Sequence, residues 1–391
     1  MQITKTGNHI KHNWIIRLLQ IVILITIFSQ IEEVETVFRP LMYGAWIMLF
    51  AFSVIYRKGR VYFSRFTVIF IVVYLLFFLY CAICGMFGAD HLQNGYLRAL
   101  LVPLIVVIAA DEISSAFDLD NLLLVLKTYI LGAALFAVWI HVHFFFSFSA
   151  WMEAQSYLFA QKNSAAQIWG SAILLTAFFI RPKSKIGKVF WVAIGAYLLF
   201  VLGLSQCRTA MLALVISVVL YFLFVGKHKI IWAGVLVALI IVVARVPIAH
   251  QFVEKALMLN RYEDANIDRF SSGRITLYKE AFQAFKQSPV IGQGDWYVDN
   301  SYLMILTGSG MIGFILIEII WIRRAIENFF GEAIDRRGHI FLIFITIFYF
   351  VESFLEGYPP FGPGVASFMF WMLSIVLTRS GNKLIPKQQN I

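Results

Sequence analysis

Residues 66–87 read FTVIFIVVYLLFFLYCAICGMF and contain no charged side chain. A helix of this length spans the hydrocarbon core of a bilayer, which is roughly 30 Å thick, so the run predicts a transmembrane helix. The bilayer core offers no water to backbone amides, and this excludes an irregular conformation exposed to lipid. The run therefore indicates an integral membrane protein built from α-helices.

Similar apolar runs recur along the whole chain of 391 residues, of which 60% are hydrophobic and 14% are charged. They predict an all-α integral membrane protein with about twelve transmembrane helices. The predicted spans are 14–31, 41–56, 66–87, 97–110, 121–147, 164–180, 189–206, 209–225, 230–247, 300–321, 339–357 and 362–378. A break is expected near Ser205–Thr209, where polar residues separate two of these runs.

Basic residues lie in short clusters between the apolar runs, and the clusters alternate from side to side of the predicted membrane. With the N-terminus in the cytoplasm, the inside segments hold 20 basic residues, among them Arg323 and Arg324. The short outside segments hold only Arg39, Arg98, Lys162 and Arg208. Cytoplasmic loops are enriched in Lys and Arg, so both termini are predicted to be cytoplasmic. The same pattern explains the net charge of +10 without a nucleic-acid partner.

One long polar segment, residues 248–298, interrupts the apolar pattern and is predicted to face the outside. It divides one membrane domain into residues 1–247, with nine spans, and residues 299–391, with three spans and a cytoplasmic tail. Within it, Arg274–Gln287 carries apolar residues at the three- and four-residue spacing of an amphipathic helix. Residues 271–273 are expected to supply the start of this helix, and Ser288-Pro289 its end.

Arg208 lies between two apolar runs and is the first candidate for a functional side chain. An arginine near membrane depth faces a polar partner or a cavity, or extends to the interface. Its planar guanidinium suits a phosphate group, because it donates two parallel hydrogen bonds. Position alone leaves both an interfacial role and an anion-binding role open.

Asp299 and Asn300 precede the tenth predicted span, with Tyr302 close behind them. Asp and Asn favour the N-cap of a helix, and the same helix end favours bound anions. Capping and catalysis are therefore both open here. On the same side, Arg98 and Asn163 each fit a structural role or a substrate contact.

Two acidic residues, Glu352 and Glu356, stand one helical turn apart near the outer end of the eleventh predicted span. Either is a candidate to pair with an outer arginine or to contact a substrate. Cys81 and Cys84 lie inside an apolar run without a second Cys or His pair at zinc-site spacing, so we interpret them as packing residues. No aspartate cluster typical of a metal-diphosphate site is present, and we expect neither a metal nor a cofactor.

The chain resembles the O-antigen ligase and polymerase superfamily in the order of several short motifs. Residues 204–210 (LSQCRTA) resemble its (S/T)-x-(S/T)-R-(T/G)-A stretch, and residues 272–294 resemble its G-R-x-x-x-(W/Y)…P-x-x-G-x-G pattern. Residues 299–313 resemble its (H/D)-N-x-(Y/L)-L…G-x-x-G pattern, and Asn163 with Ala166 is similar to an upstream N-x-x-A element. The N-terminal half resembles the family in hydropathy alone.

This resemblance implies a membrane glycosyltransferase of the GT-C type that uses a glycan on undecaprenyl diphosphate as donor. Ligases of the family carry a histidine where this chain has Asp299, which favours a Wzy-type polymerase of surface polysaccharide. Such an enzyme works on the periplasmic face of the bacterial inner membrane, with a lipid-linked repeat unit as acceptor and possible contact with a chain-length regulator. Its expected catalytic residues are Arg208, Arg274 and Asp299.

In this hypothesis the arginines stabilise the leaving diphosphate, Asp299 orients or deprotonates the acceptor hydroxyl, and Asn300 holds sugar hydroxyls. The substrate-binding set is completed by Tyr302, Asn163 and Arg98. The nearest alternative is an O-antigen ligase, which transfers the finished glycan to lipid A core. A transporter of lipid-linked sugars is the alternative from another class, although the inverted repeats and mid-membrane charges typical of transporters are scarce.

Overall fold

The computed structural model describes residues 4–378 apart from short gaps, and this part is 84% helical without a β-strand. The gaps are 57, 60, 62, 87–90, 115–118, 146, 148, 150, 152–161, 225–228, 260–267, 269–270, 334–335 and 363–365. The predicted cytoplasmic tail after residue 378 and part of the polar segment 248–298 lie outside the described residues.

The described elements follow one another as helices joined by short links. They are α1 (Thr4–Phe28), α2 (Glu32–Tyr56), α3 (Arg65–Met86), α4 (Gly95–Ile113), α5 (Leu119–Phe144), α6 (Lys162–Leu174), α7 (Lys185–Leu204), α8 (Arg208–Phe224), α9 (Lys229–Arg245), α10 (Pro247–Ala256), α11 (Arg274–Gln287), α12 (Ser301–Phe330), α13 (Arg336–Leu355) and α14 (Phe368–Leu377). A 3₁₀ turn at His91–Gln93 precedes α4, and a π-helical turn at Leu175–Phe179 follows α6.

Six helices in the described part are long and apolar enough to cross a membrane: α2, α3, α5, α7, α12 and α13. Shorter apolar helical segments lie at Trp14–Phe28, Arg208–Leu220 and Phe368–Leu377. Large apolar side chains such as Leu75 and Val192 are exposed on these helices, as expected where a surface meets lipid. The chain is an all-α, multi-pass membrane protein, and the count of twelve spans stays a prediction.

The predicted break between two apolar runs is present at Ser205–Cys207, where α7 ends and α8 begins. Gln206 adopts a left-handed backbone with φ of 53°, and its side-chain amide donates to the carbonyl oxygen of Lys255 at 2.8 Å. The turn is thereby tied to the end of α10, and Arg208 becomes the first residue of α8.

The amphipathic helix predicted at Arg274–Gln287 is confirmed with the same two end residues, as α11. Its expected start was wrong, because Gly273 occupies the N-cap and no side chain at that position caps the helix. Asp268 does so instead: its carboxylate accepts from the backbone N–H of Thr276 at 2.9 Å and from the Thr276 hydroxyl at 2.8 Å. An upstream acid thus satisfies one of the free N–H groups of the first turn.

Helix α12 is divided by a sharp bend at Gly310, whose φ of 61° and ψ of −172° are not helical. The indole N–H of Trp321 donates to the Tyr302 hydroxyl oxygen at 3.4 Å. Nineteen residues of straight helix would separate these positions by about 28 Å, so the two segments of α12 fold back towards each other. The predicted span 300–321 is corrected accordingly: the segment before Gly310 is a separate arm, and the longer segment ends at Phe330.

The chain before α12 is seated against this bend by backbone hydrogen bonds. They run from Gln293 N to Thr307 O at 2.8 Å, from Gly294 N to Gly308 O at 2.9 Å and from Met311 N to Pro289 O at 2.9 Å. The hydroxyl of Tyr80, on α3, lies 2.9 Å from the Ile291 carbonyl oxygen and 2.7 Å from that of Ser309. The outer loop and the bent helix therefore form one packed unit with the N-terminal half.

Glycines make this close approach possible. Gly292, Gly294 and Gly310 all have positive φ, a backbone region that other residues rarely adopt. A Cβ on Gly310 would overlap the carbonyl group of Val290, and one on Gly292 would overlap the backbone of Gly308 and Gly310. The P-x-x-G-x-G and G-x-x-G patterns of the sequence thus have a structural explanation, which is the docking of a loop into a bent helix.

The opposite end of α12 is fixed by a buried arginine. Arg324, one of the basic residues counted in the inside clusters, has no exposed surface and forms an ion pair with Glu327 at 2.7 Å. Its guanidinium also lies 4.5 Å from the centroid of the Phe66 ring. A buried charge needs such partners, so Arg324 is a packing element of the helix bundle rather than a loop residue.

Candidate active site

Arg274 and Asp299 face each other where the start of α11 meets the start of α12. The Nε and Nη2 atoms of Arg274 lie 3.4 and 3.5 Å from Oδ2 of Asp299. The side chains are 19% and 29% exposed, so this ion pair is partly accessible from the outside. Two of the predicted catalytic residues are brought together in this way, although 25 residues separate them in sequence.

A second carboxylate, Glu356, contacts the same guanidinium from the end of α13. Nη2 of Arg274 lies 3.2 Å from Oε1 of Glu356, whose side chain is only 4% exposed. The sequence had left Glu356 as a possible partner for an outer arginine, and the structure shows that partner to be Arg274. Burial raises the pKa of Glu356 to about 7, the nearby Asp299 carboxylate adds to this shift, and Arg274 opposes it.

Asn163, near the start of α6, holds the other oxygen of Glu356. Its side-chain N–H donates to Oε2 of Glu356 at 2.7 Å, and its Oδ1 lies 3.4 Å from Sγ of Cys207. Burial raises the pKa of the Cys207 thiol to about 12, so this group remains neutral and suits a weak donor role. Asn163 therefore joins the cluster through Glu356.

Arg208 reaches the same region from the start of α8. Its Nη2 donates to the hydroxyl oxygen of Ser272 at 2.6 Å, two residues before Arg274. The link between α7 and α8 and the start of α11 are therefore adjacent in space. All three predicted catalytic residues lie at helix starts that converge on one place.

Asp299 and Asn300 divide the capping and site roles that the sequence left open. Oδ1 of Asn300 accepts from the backbone N–H of Leu303 at 2.9 Å, which makes Asn300 the N-cap of α12. Its side-chain N–H donates to the Phe354 carbonyl oxygen at 3.2 Å. The amide is therefore engaged in structural bonds at both ends, while the Asp299 carboxylate is directed to other groups.

Two tyrosines hold Asp299. The hydroxyl of Tyr297 donates to Oδ1 of the carboxylate at 2.8 Å, and the hydroxyl of Tyr278 donates to the backbone carbonyl oxygen at 2.6 Å. Burial raises the pKa of both hydroxyls, and the Asp299 charge adds to the increase for each. Both tyrosines therefore act as neutral hydrogen-bond donors.

Two other sequence candidates lie away from this cluster. The hydroxyl of Tyr302 is bonded to Trp321, and its ring packs 4.8 Å from the Phe354 ring, inside the bend of α12. Arg98 is exposed on α4, and its charge acts on Tyr358. The contacts of Tyr302 are those of a packing residue, and those of Arg98 lie on the Tyr358 side of the outer surface.

A buried polar pair below the cluster escaped the sequence analysis. Nε2 of Gln167 donates to Oε2 of Glu352 at 3.1 Å, one helical turn below the contact between Asn163 and Glu356. Glu352 and Gln167 have no exposed surface. The signal was present in the sequence: two amides four residues apart and two acids four residues apart present matching faces when their helices pack together.

The cluster thus combines two arginines with one partly exposed and one buried carboxylate. Arginine forks suit a phosphate or diphosphate group, and the exposed carboxylate suits a hydroxyl donor. Within the described ranges, no group of three His, Cys, Asp or Glu side chains is arranged to hold a metal ion.

Comparison with protein families agrees with this chemistry. A sequence model described as O-antigen ligase matches residues 193–318. Over these residues the chain is a member of the O-antigen ligase and polymerase superfamily. The superfamily region includes Arg208, Arg274, Asp299 and Asn300, whereas Asn163 and Glu356 lie on either side of it.

Members of this superfamily are glycosyltransferase-like enzymes of O-antigen pathways, which agrees with a function of the ligase or polymerase type here. The chain matches none of the curated proteins with which it was compared.

Proposed function

We propose that the protein polymerises oligosaccharide repeat units carried on undecaprenyl diphosphate into O-antigen or a related surface polysaccharide. The observation that carries the proposal is the partly exposed pair of Arg274 and Asp299, with Arg208 tied to the same helix start through Ser272. A cation for a diphosphate and a carboxylate for a hydroxyl are the two groups that such a transfer needs.

In the proposed reaction, the donor is a growing chain on undecaprenyl diphosphate. A hydroxyl of a lipid-linked repeat unit attacks its anomeric carbon, and the bond to the diphosphate oxygen breaks. Negative charge develops on the leaving diphosphate, so fixed cations at that oxygen lower the barrier. Arg274 and Arg208 supply these cations.

The proton of the acceptor hydroxyl goes to Asp299. General-base assistance is typically worth about 10²–10⁴ in rate, provided that the base is within hydrogen-bond reach of the hydroxyl. Asp299 is the more exposed of the two carboxylates that contact Arg274. The N-terminus of α12 also stabilises its negative charge through the helix dipole.

Lipid-linked substrates agree with a site at the ends of membrane helices. The lipid tails would remain in the bilayer while the sugars and the diphosphate reach the cluster from the outside. We place this cluster and residues 248–298 on the periplasmic side of the bacterial inner membrane, with both termini in the cytoplasm, on the basis of the basic-residue pattern. A chain-length regulator is the proposed protein partner.

The test is a ladder assay of surface polysaccharide in a strain that depends on this protein. Arg208→Ala and Arg274→Ala should leave single repeat units and no long chains. Arg39→Ala is the matched control, because Arg39 is an outer arginine of α2 paired with Glu35 and lies outside the cluster. Normal ladders from both site variants, at normal expression, would refute the diphosphate-binding role.

The second candidate is an O-antigen ligase, which the description of the matching family favours. Deletion of the gene separates the two functions. Loss of a ligase leaves long glycans on the carrier lipid, whereas loss of a polymerase leaves single repeat units. Asp299 in place of the histidine expected for ligases is the reason for placing the polymerase first.

A further inference from the structure

Arg274 has two carboxylate partners that differ in accessibility. Asp299 is 29% exposed and faces the guanidinium through Nε and Nη2 at 3.4 and 3.5 Å. Glu356 is 4% exposed, lies 3.2 Å from Nη2 and is held at its other oxygen by Asn163. An anion that arrives from outside therefore meets the Asp299 side of the guanidinium first.

The energetic cost of separating Arg274 from each partner also differs. A buried charge that loses its only ionic partner is strongly destabilised, whereas a partly exposed carboxylate regains water. Ligand binding at Arg274 therefore displaces Asp299 more readily than Glu356. The bond between Glu356 and Asn163 keeps the buried carboxylate in place during this exchange.

We propose that Glu356, held by Asn163, is a positioning residue that retains Arg274 while the guanidinium exchanges Asp299 for the diphosphate of the donor. This inference rests on the proposed function and assigns an order to it. Donor binding frees the Asp299 carboxylate from its arginine and makes it available to the acceptor hydroxyl. The transfer then proceeds with the proton passing to Asp299 and the electron pair of the broken bond passing to the diphosphate.

A pH dependence follows from the surroundings of Glu356. Its pKa of about 7 means that the carboxylate is largely lost in mild acid, and with it the negative charge that holds Arg274. The other groups that face it are Asn163 from α6, Cys207 and Thr209 from the start of α8, Arg274 from α11, Asp299 before α12 and Glu352 from α13. Cys207 stays neutral in this range because of its raised pKa.

The experiment uses purified full-length protein in detergent, with lipid-linked repeat units as substrate. Glu356→Gln should raise the KM for the donor about tenfold or more, the loss expected for one charge-assisted hydrogen bond, with a smaller change in kcat. Wild-type KM for the donor should rise as pH falls below about 7, whereas the variant should show a high KM without this dependence. Glu356→Asp, which keeps the charge, should recover part of the affinity.

Glu352→Gln is the matched control, since Glu352 is a buried acid on the same helix that bonds to Gln167. It should retain the wild-type KM for the donor and the wild-type pH profile. If Glu356→Gln fails to accumulate, Asn163→Ala provides the second test, because it removes the bond at the other carboxylate oxygen. It should raise the KM in the same direction and move the pH profile.

Arg274→Ala, measured in parallel, separates the two levels of inference. If Arg274→Ala is as active as wild type, the diphosphate-binding role proposed above is wrong. If Arg274→Ala is inactive while Glu356→Gln and Asn163→Ala keep the wild-type KM and pH profile, only the positioning role of Glu356 is wrong.

Discussion

The hydroxyl of Tyr278 lies 2.6 Å from the backbone carbonyl oxygen of Asp299 and 2.9 Å from that of Phe354. One side chain of α11 thereby ties the start of α12 to the end of α13. Tyr297 approaches Asp299 differently, because its hydroxyl donates to the carboxylate itself. The first tyrosine fixes the backbone of the cluster, and the second acts on the charge of its proposed base.

Phenylalanine substitutions should separate these two effects. Tyr297→Phe removes a donor to the carboxylate and should lower kcat about three- to tenfold, the rate equivalent of a weak charge-assisted hydrogen bond, with little change in Tm. Tyr278→Phe should lower Tm, because it leaves two backbone carbonyl groups without this donor. Thermal unfolding in detergent and initial polymerisation rates measure the two effects. Equal changes in Tm for both variants would contradict the distinction.

Lysine at position 274 should not replace arginine. Arg274 contacts Asp299 and Glu356 with two nitrogens of one planar group, and a lysine ammonium is a single charged point on a flexible stem. Arg274→Lys should lower kcat/KM about tenfold or more, as expected when at least one charge-assisted hydrogen bond is lost. Kinetics with lipid-linked substrate measure this, and wild-type kcat/KM in the lysine variant would show that net charge alone suffices.

Gly310→Ala should be strongly destabilising. The backbone at Gly310 is in a region accessible almost only to glycine, which costs another residue about 1–3 kcal/mol, and its Cβ would also meet the carbonyl group of Val290. Expression level and Tm in detergent measure the effect. Gly44→Ala is the matched control, because a Cβ at this membrane-helix glycine meets no atom within 4 Å. Similar Tm values for the two variants would contradict the docking of the loop into the bend.

Asp268 should stabilise α11 in a pH-dependent way. Hydrogen bonds from the backbone N–H and the hydroxyl of Thr276 hold the pKa of Asp268 below its ordinary 3.8. A carboxyl with a depressed folded-state pKa contributes stability above its unfolded pKa and loses it as pH falls through the folded pKa. Asp268→Ala should therefore lower Tm at neutral pH, and the difference should shrink below the ordinary pKa.

Glu280→Ala is the control for Asp268, because Glu280 is an exposed acid on the same helix. Its Tm should stay close to that of wild type at both pH values. A difference between wild type and Asp268→Ala that remains constant with pH would show that the carboxylate does not cap α11.

The sequence was sufficient for features governed by local pattern. The apolar runs predicted membrane helices, the three- and four-residue spacing predicted α11 at its observed bounds, and the polar break before Arg208 was located correctly. The pairing of Arg274 with Asp299 was reached through motif order rather than through geometry. Local pattern predicts these features because each depends on residues within a few turns of one another.

Features that depend on distant residues were not reached. The bend at Gly310 is stabilised by a loop from one side and by Tyr80 of α3 from the other, and neither contact is visible in the sequence around Gly310. The cap of α11 comes from Asp268 across a turn, so the nearer serines were a wrong expectation. Buried acids such as Glu318 and Glu352 also lie within helices, where the sequence had indicated few charges.

The distribution of the cluster along the chain has a consequence for biogenesis. Asn163 and Glu356, which contact each other, are 193 residues apart, and Arg274 between them needs a partner from the end of α13. During synthesis, the loop and the first arm of α12 leave the ribosome before that partner exists. A nascent chain therefore carries Arg274 with Asp299 alone until α13 enters the membrane, and the arrangement that we propose for donor binding forms only near the end of translation.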